Sequence, residues 1–239
     1  MNGYKFVLAS QSPRRREILG KLGIDFEVIV SDVEENTDET EPAEIVKALS
    51  KLKAEAVFER IKDDYGRLVV IGSDTVVAHN GDIMGKPKDR EDAFNMIKSF
   101  AGDTHYVYSG VTVIVKDNGL SEGKSETFAE SSANGGTVQA DDSMMTVDES
   151  VDYPGETNPK NEKIKSITFG VGTAVDVDEM SEEEIYAYIN TGEPFDKAGA
   201  YAVQGLFAPY VNGIRGDYYN IVGLPLNQLY RVLKAEKIL

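Results

Sequence analysis

Three arginines follow a serine and a proline near the start of the chain, where their charges could bind an anion. Ser12 is a good N-cap and Pro13 a good first helical residue, so Arg14, Arg15 and Arg16 fall in the first turn of a helix. A cation at this positive end of a helix costs about 0.3–1 kcal/mol. Exposed amide N–H groups and guanidinium groups suit a phosphate, which would offset that cost. A solvated basic start of a surface helix fits the same spacing.

One aspartate stands in the middle of an apolar run. Residues 68–77 are apolar on both sides of Asp74, which indicates a buried strand. An ionised carboxylate is costly there unless it is paired or bound to a metal. Asp74 is therefore a candidate general base or Mg²⁺ ligand, and the structural alternative is an aspartate that caps a neighbouring loop.

Two further loops carry polar side chains between residues that restrict the backbone. Lys86 stands between a glycine and a proline, Asp196 and Lys197 lie between a proline and a glycine, and Gln204 precedes a glycine. A lysine held in a tight connection can reach a phosphate, and the Gln204 amide can read the edge of a base. Taken separately, each loop fits a structural explanation better: a solvated lysine in a turn for Lys86, and a turn with a local ion pair for Asp196 and Lys197.

The overall composition limits the cofactors and partners of the protein. The chain has 239 residues, no cysteine, two histidines and a formal net charge of −16. These counts exclude disulfides, thiolate nucleophiles and Cys-ligated zinc, so a metal site must use oxygen ligands and favours Mg²⁺ or Mn²⁺. The negative charge argues against general nucleic-acid binding, because a surface that tracks phosphates needs a basic face.

Neither a membrane span nor a signal peptide is visible in the sequence. No apolar run approaches the roughly 20 residues that cross a bilayer. The first residues, Met-Asn-Gly-Tyr-Lys, lack the apolar core of a secretion signal. We therefore expect a cytoplasmic protein with no membrane partner.

Strand-like and helix-like segments alternate along the chain, which indicates an α/β fold. Strands are predicted at residues 6–9, 26–30, 68–78, 106–115 and 164–177, and helices at 13–22, 41–62, 90–100, 181–191 and 226–239. Ser181 and Glu184 predict a capping box at the fourth helix. Turns and strands punctuated by glycine are predicted between residues 199 and 222.

Half of the net charge is concentrated in one segment. Residues 117–163 hold 11 acidic side chains against 3 lysines, a net charge of −8, and few large apolar residues. This composition predicts a long solvated loop or a disordered insertion between the two arms of a hairpin, 106–115 and 164–177. An acidic docking segment is the functional alternative. We expect one domain over residues 1–239 with this acidic low-complexity insertion at 117–163.

Five separated motifs resemble those of the Maf-like nucleotide pyrophosphatases. They are Ala-Ser-Gln-Ser-Pro-Arg-Arg at 9–15, Gly-Ser-Asp-Thr at 72–75, Gly-Lys-Pro at 85–87, Asp-Lys-Ala-Gly-Ala-Tyr at 196–201 and Gly-Leu-Pro at 223–225. The resemblance covers nearly the whole chain except the insertion. It implies a two-lobed α/β fold with an elongated mixed β-sheet, flanking helices and a cleft between the lobes, similar to the inosine triphosphate pyrophosphatases.

The resemblance also implies an activity, the hydrolysis of a nucleoside triphosphate to the monophosphate and pyrophosphate with a divalent cation. Three positions separate the branch of the family that acts on dTTP and UTP from the branch that acts on 7-methyl-GTP. Arg14, Thr75 and Gln204 match the dTTP/UTP branch. The implied role is house-cleaning of the nucleotide pool, and the implied assembly is a homodimer. The alternative is a nucleotide-binding regulator of septum formation and cell division, in which turnover is incidental.

The site residues implied by the resemblance form one set. The proton acceptor corresponds to Asp74, and the metal ligands correspond to Glu35 and Asp74. Substrate-binding positions correspond to Ser10, Arg14, Arg15, Lys53, Thr75, Lys86, Lys197 and Gln204. In the expected mechanism the cations neutralise the triphosphate, and Asp74 activates a water that attacks the α-phosphorus. Gln204 is the stronger candidate for a pyrimidine edge, since its amide both donates and accepts.

Overall fold

A computed structural model describes residues 3–118, 145–147, 151–152 and 163–239. The described strands are β1 Lys5–Ala9, β2 Phe26–Val28, β3 Arg67–His79, β4 Asp82–Met84, β5 Thr104–Asp117, β6 Met145–Val147, β7 Val151–Asp152, β8 Lys163–Val177 and β9 Val211–Arg215. The described helices are α1 Pro13–Gly20, α2 Pro42–Ile61, α3 Arg90–Phe100, α4 Glu182–Ile189, α5 Tyr218–Val222 and α6 Leu226–Ala235. No helix in these ranges is long and apolar enough to cross a membrane.

All nine described strands belong to one mixed sheet. Its order is β2-β1-β3-β5-β8-β6, while β4 pairs with the end of β3, and β7 and β9 pair with β8. The strand β1 runs parallel to β2 and β3, whereas β3, β5 and β8 are antiparallel neighbours. The α/β class and the mixed sheet that the sequence predicts are confirmed.

The long strands β5 and β8 form the predicted hairpin. They pair along their whole length, from Thr104 opposite Asp176 to Asp117 opposite Lys163. The two short strands β6 and β7 add backbone pairing to β8. Most of the predicted insertion at 117–163 lies outside the described residues, so its solvated or disordered character stays a prediction, as does the single-domain organisation.

Apolar side chains form separate cores along the long strands, and these cores define two lobes. In the first lobe, β1 and one half of β3 and β5 are covered on one face by α1 and α6 and on the other face by α2. In the second lobe, the other half of β3, β5 and β8 packs against α3 and α4. Because the strands run through both lobes, the gap between the lobes lies over the middle of the sheet.

Two glycines let α2 lie unusually close to the sheet. A Cβ atom at Gly72 would stand 2.3 Å from the carbonyl oxygen of Ser50, and one at Gly110 would stand 2.1 Å from that of Val46. Any side chain at these positions would force the helix away. Because α2 lies so close to β3, Lys53, about one turn after Ser50, contacts Asp74.

The helix ends show which local signals operate. Ser12 caps α1 by accepting from the Arg15 N–H at 3.4 Å, and the capping box of Ser181 and Glu184 is present, so both predictions are confirmed. The predicted continuation of the last helix to residue 239 is wrong. Lys237 adopts a left-handed φ of 56°, and the Ile238 N–H donates to the carbonyl of Leu233, which ends the helix.

Candidate active site

The centre of the candidate site is a stretch of β3 that has a neighbouring strand on one side only. Pairing with β1 ends at Gly72, and pairing with β4 begins at Val77. The four residues between them, 73–76, pair with β5 but face an opening on the other edge. Side chains alternate along a strand, so Asp74 and Thr75 reach this opening from opposite faces of the sheet.

A cavity of about 560 Å³ occupies this opening between the lobes. The structure brings together all ten site residues that the sequence predicts, although they come from six separate segments. Those that line the cavity are Ser10, Arg14, Arg15, Glu35, Lys53, Asp74, Thr75, Lys86, Lys197 and Gln204. Their shared location is a finding, whereas their individual roles stay predictions.

A lysine bridges the two acidic residues of the cavity. The Lys53 ammonium lies 2.6 Å from an Asp74 carboxylate oxygen and 2.8 Å from a Glu35 carboxylate oxygen. Asp74 and Lys53 are each 8% exposed, whereas the Glu35 side chain is 55% exposed. The ion pair compensates the burial of both charges, and it holds one carboxylate at the floor of the cavity.

Arg15 is held by three acceptors before any ligand binds. Its guanidinium donates to the Gly223 carbonyl at 2.8 Å, to the Thr75 hydroxyl at 2.9 Å and to the Ser10 hydroxyl at 3.3 Å. Burial lowers the pKa of Arg15, and the Asp74 carboxylate opposes this shift. An arginine remains charged in a protein, so the contacts orient a fixed positive charge toward the cavity.

The hydroxyl of Ser10 has an unused donor. Its oxygen accepts from the Ser12 N–H at 3.2 Å and from Arg15 at 3.3 Å, which occupies both of its lone pairs. Within the described part of the chain its proton has no acceptor. Because Ser10 lines the cavity, this proton is available to a ligand oxygen.

The opposite wall of the cavity carries a second ion-pair cluster. Asp196 accepts from Arg14 at 3.1 Å and from Lys197 at 2.5 Å, and Lys197 also donates to the Glu193 carbonyl at 2.8 Å. Burial alone would raise the pKa of Asp196, but Lys197 and Arg14 outweigh burial and lower this pKa. The cluster joins α1 of one lobe to the turn Glu193–Asp196 of the other.

Lys86 and Gln204 are exposed members of the set that have no side-chain partner within the described residues. Both line the cavity, and neither has an ion pair or a side-chain hydrogen bond within the described residues. The loop of Lys86 is anchored by the preceding Gly85 carbonyl, which accepts from the Gly199 N–H at 3.0 Å. Their functional groups are therefore free to contact a ligand.

One side of the cavity is uncharged and contains residues that sequence reasoning missed. Its lining includes Val77, Val107, Tyr201, Ile221 and Val222. Behind it, the Thr75 hydroxyl lies 2.8 Å from the Ser109 hydroxyl, which in turn donates to the Asn220 carbonyl at 2.9 Å. No sequence signal could identify Ser109 and Asn220, because their contact depends on residues 111 positions apart.

A buried histidine supports this uncharged side. The His105 ring lies 2.7 Å from the Tyr201 hydroxyl. Burial lowers the pKa of His105 to about 3, and the neighbouring His79 adds to the shift. His105 is therefore neutral at pH 7, and it fixes Tyr201 in the wall through a neutral hydrogen bond.

The carboxylates fit a divalent cation that is partly held by its substrate. Oxygens of Glu35 and Asp74 converge on one point, where Lys53 contacts both. The described residues contain no group of three or more His, Cys, Asp or Glu side chains that could hold a metal alone. Mg²⁺ commonly uses one or two carboxylates together with substrate phosphates, so this donor set fits Mg²⁺ or Mn²⁺ in the presence of a polyphosphate.

The structure is an α/β protein with a mixed sheet and a cationic cleft over a buried carboxylate, an arrangement suited to a small anionic ligand. The family model described as Maf-like protein matches residues 5–140 and 155–236. The chain belongs to this family, as its five motifs predict. The match also extends into the predicted insertion from both sides and leaves out only residues 141–154 of it, which corrects the expectation that the whole insertion lies outside the family pattern.

Curated relatives of the chain carry a consistent name. The dTTP/UTP pyrophosphatase of Lachnoclostridium phytofermentans is 42% identical over 231 residues, which cover 97% of this chain and 94% of the relative. The dTTP/UTP pyrophosphatase of Clostridium perfringens is 39% identical over 236 residues, which cover 98% of each chain. The protein of the same name from Thermoanaerobacter sp. is 38% identical over 232 residues, 97% of this chain and 96% of the relative.

Proposed function

We propose that the protein is a nucleoside triphosphate pyrophosphatase that hydrolyses dTTP and UTP to the monophosphate and pyrophosphate. Relatives that align over nearly the full chain bear this name. The observation that carries the proposal is the Asp74–Lys53 pair, which lies 8% exposed at the open edge of β3 with other cations around it. We further propose that the reaction serves house-cleaning of the nucleotide pool.

The cationic side of the cavity supports a triphosphate site. Five positive side chains line it, and they come from both lobes: Arg14, Arg15, Lys53, Lys86 and Lys197. In a partly buried cleft such charges act more strongly on a polyphosphate than they would in water. The free hydroxyl proton of Ser10 adds a neutral donor to a phosphate oxygen. Together these groups bind the substrate and stabilise the charge on departing pyrophosphate.

Asp74 is the general base in this proposal. Its carboxylate accepts a proton from a water, and the water oxygen forms a bond to the α-phosphorus. The bond from the α-phosphorus to the bridging oxygen breaks, and that oxygen leaves with pyrophosphate. Lys53 keeps the carboxylate oriented at 2.6 Å, so the base is in position before the substrate arrives.

A divalent cation, Mg²⁺ or Mn²⁺, completes the proposed site. Glu35 and Asp74 would hold it together with phosphate oxygens, and the ion would withdraw charge from the bridging oxygen. The Lys53 ammonium stands between Glu35 and Asp74 in the structure, so it would have to give up part of this contact for the ion to bind both carboxylates.

Phosphorus NMR of the products tests the proposal. The protein is incubated with Mg²⁺ and, separately, dTTP, UTP, CTP, 7-methyl-GTP and ITP in water enriched in ¹⁸O. We expect pyrophosphate and the labelled monophosphate from dTTP and UTP, because water attacks the α-phosphorus. Release of inorganic phosphate, or label in pyrophosphate, would contradict the proposal. Binding of UTP without turnover would instead favour the regulatory alternative.

A further inference from the structure

The hydroxyl groups behind the uncharged side of the cavity form a chain with a fixed direction. A carbonyl oxygen can only accept, so the contact of 2.9 Å between Ser109 and the Asn220 carbonyl uses the single proton of Ser109. The contact of 2.8 Å between Ser109 and Thr75 must then be donated by Thr75. Ser109 is fully buried, so no bulk water competes for its proton.

This direction leaves Thr75 without a donor for a ligand. Its proton is committed to Ser109, and one of its lone pairs accepts from Arg15 at 2.9 Å. One lone pair remains, and Thr75 is partly exposed in the cavity wall. Thr75 can therefore contact a bound molecule only as a hydrogen-bond acceptor.

The position of Thr75 is suited to contact a base. Thr75 contacts one of the cations, Arg15, through a hydrogen bond. It lines the same cavity as the apolar residues Val77, Val107 and Ile221. Apolar walls with a few placed polar groups are typical of small-molecule sites, and a base is the uncharged part of a nucleotide. The ring of thymine or uracil carries a donor at N3–H, whereas the N3 atom of cytosine is an acceptor.

We propose that Ser109 is a positioning residue that holds Thr75 as a hydrogen-bond acceptor, and that the cleft thereby selects thymine and uracil over cytosine. This inference rests on the proposed function and extends it to the choice of base. An acceptor facing the N3 acceptor of cytosine leaves both groups without a partner, which opposes binding. Ser109 itself contacts Thr75 and the Asn220 carbonyl rather than the nucleotide.

The test compares UTP with CTP in matched variants. In Ser109→Ala the Thr75 proton is released, so the threonine can donate to cytosine N3. We expect the ratio of kcat/KM for UTP to that for CTP to fall about fivefold, mainly through KM, the size of one neutral hydrogen bond. Thr75→Val removes the acceptor but keeps the shape, and it should lower the ratio through the loss of UTP alone.

The control is a second buried hydroxyl on the same strand. Thr112 is fully buried and hydrogen-bonded to Ser50 at 3.0 Å and Thr168 at 2.9 Å, outside the lining of the cavity. Thr112→Val should lower thermal stability and leave the ratio unchanged. A simple loss of packing would change the UTP/CTP ratio of kcat/KM alike in all three variants. The positioning role of Ser109 changes this ratio only in Ser109→Ala and Thr75→Val.

Two results would overturn the inference, and they differ in what else they overturn. If the wild type hydrolyses UTP but the ratio in Ser109→Ala stays within twofold of wild type, Ser109 does not hold Thr75 as the acceptor that reads the base. If the wild type hydrolyses neither UTP nor dTTP, the proposed function fails and the inference fails with it.

Discussion

Replacement of Gly72 by alanine should separate the general base from its lysine. The new Cβ would lie 2.3 Å from the Ser50 carbonyl, whereas ordinary contacts begin at 3.4 Å. The Cβ is fixed to the backbone of β3 and the carbonyl belongs to the backbone of α2, so neither atom can rotate away. The helix must therefore move by about 1 Å to relieve the clash. Lys53 lies on the same helix, and its ammonium is 2.6 Å from Asp74. The substitution therefore changes the geometry of the site without altering any charged group.

The size of the effect follows from this displacement. Overpacking of a core contact costs about 1–3 kcal/mol, and each kcal/mol lowers Tm by about 2–4 °C in a chain of this size. Misplacement of catalytic groups by about 1 Å lowers the rate roughly 100-fold. We expect Gly72→Ala to lose about two orders of magnitude in kcat for UTP with a moderate fall in Tm.

A matched control is available in the same chain. Gly20 ends α1, and a Cβ there meets nothing within 4 Å. Gly20→Ala should keep both kcat and Tm near wild type. Thermal unfolding and steady-state kinetics with UTP are measured on both variants. If Gly72→Ala matches Gly20→Ala in kcat, the close approach of α2 does not position the base.

Three more perturbations have defined outcomes. Burial lowers the pKa of His105 from its usual 6.5 in the unfolded chain to about 3 in the folded protein, so the free energy of unfolding decreases as the pH falls between these values. His105→Gln should remove up to about 1.4 kcal/mol per pH unit from this dependence. Urea unfolding at pH 7 and pH 5 measures the difference. Asp196→Asn frees Arg14 and Lys197 for the triphosphate, so KM for UTP should fall severalfold. Tm should barely change, because an exposed ion pair contributes only about 0–1 kcal/mol to the free energy of unfolding. A higher KM would contradict this. Glu35→Gln should raise the Mg²⁺ concentration needed for half-maximal rate, and an unchanged Mg²⁺ dependence would exclude Glu35 as a ligand.

Elements with a strong local signal were predictable from the sequence. Helix α3 spans Arg90–Phe100 as predicted, because its apolar residues recur at helical spacing toward one core. The strand Arg67–His79 was visible as an apolar run. Helix α5, Tyr218–Val222, was missed because five residues are too few for a periodic pattern. The strand Asp82–Met84 was missed for the same reason.

The chemistry of the site was only partly visible. Asp74 stood out because a charge in an apolar run needs a partner, but its partner Lys53 came from the family resemblance and not from spacing. The open edge of β3 depends on where β1 ends and β4 begins, and no local pattern encodes that gap. The carbonyl of Gly223, which anchors Arg15 at 2.8 Å from 208 residues away, is likewise a product of tertiary packing.

We propose Asp74 as the general base of a nucleoside triphosphate pyrophosphatase. The most direct test measures kcat for UTP and the equilibrium Kd for UTP in Asp74→Asn, with Asp82→Asn on the exposed strand β4 as the matched control. Lys53 also pairs with Glu35 at 2.8 Å, so it retains an acidic partner when Asp74 is replaced. We expect Asp74→Asn to lose at least about 100-fold in kcat while Kd changes little. Retained turnover, or a loss of binding as large as the loss of rate, would contradict it.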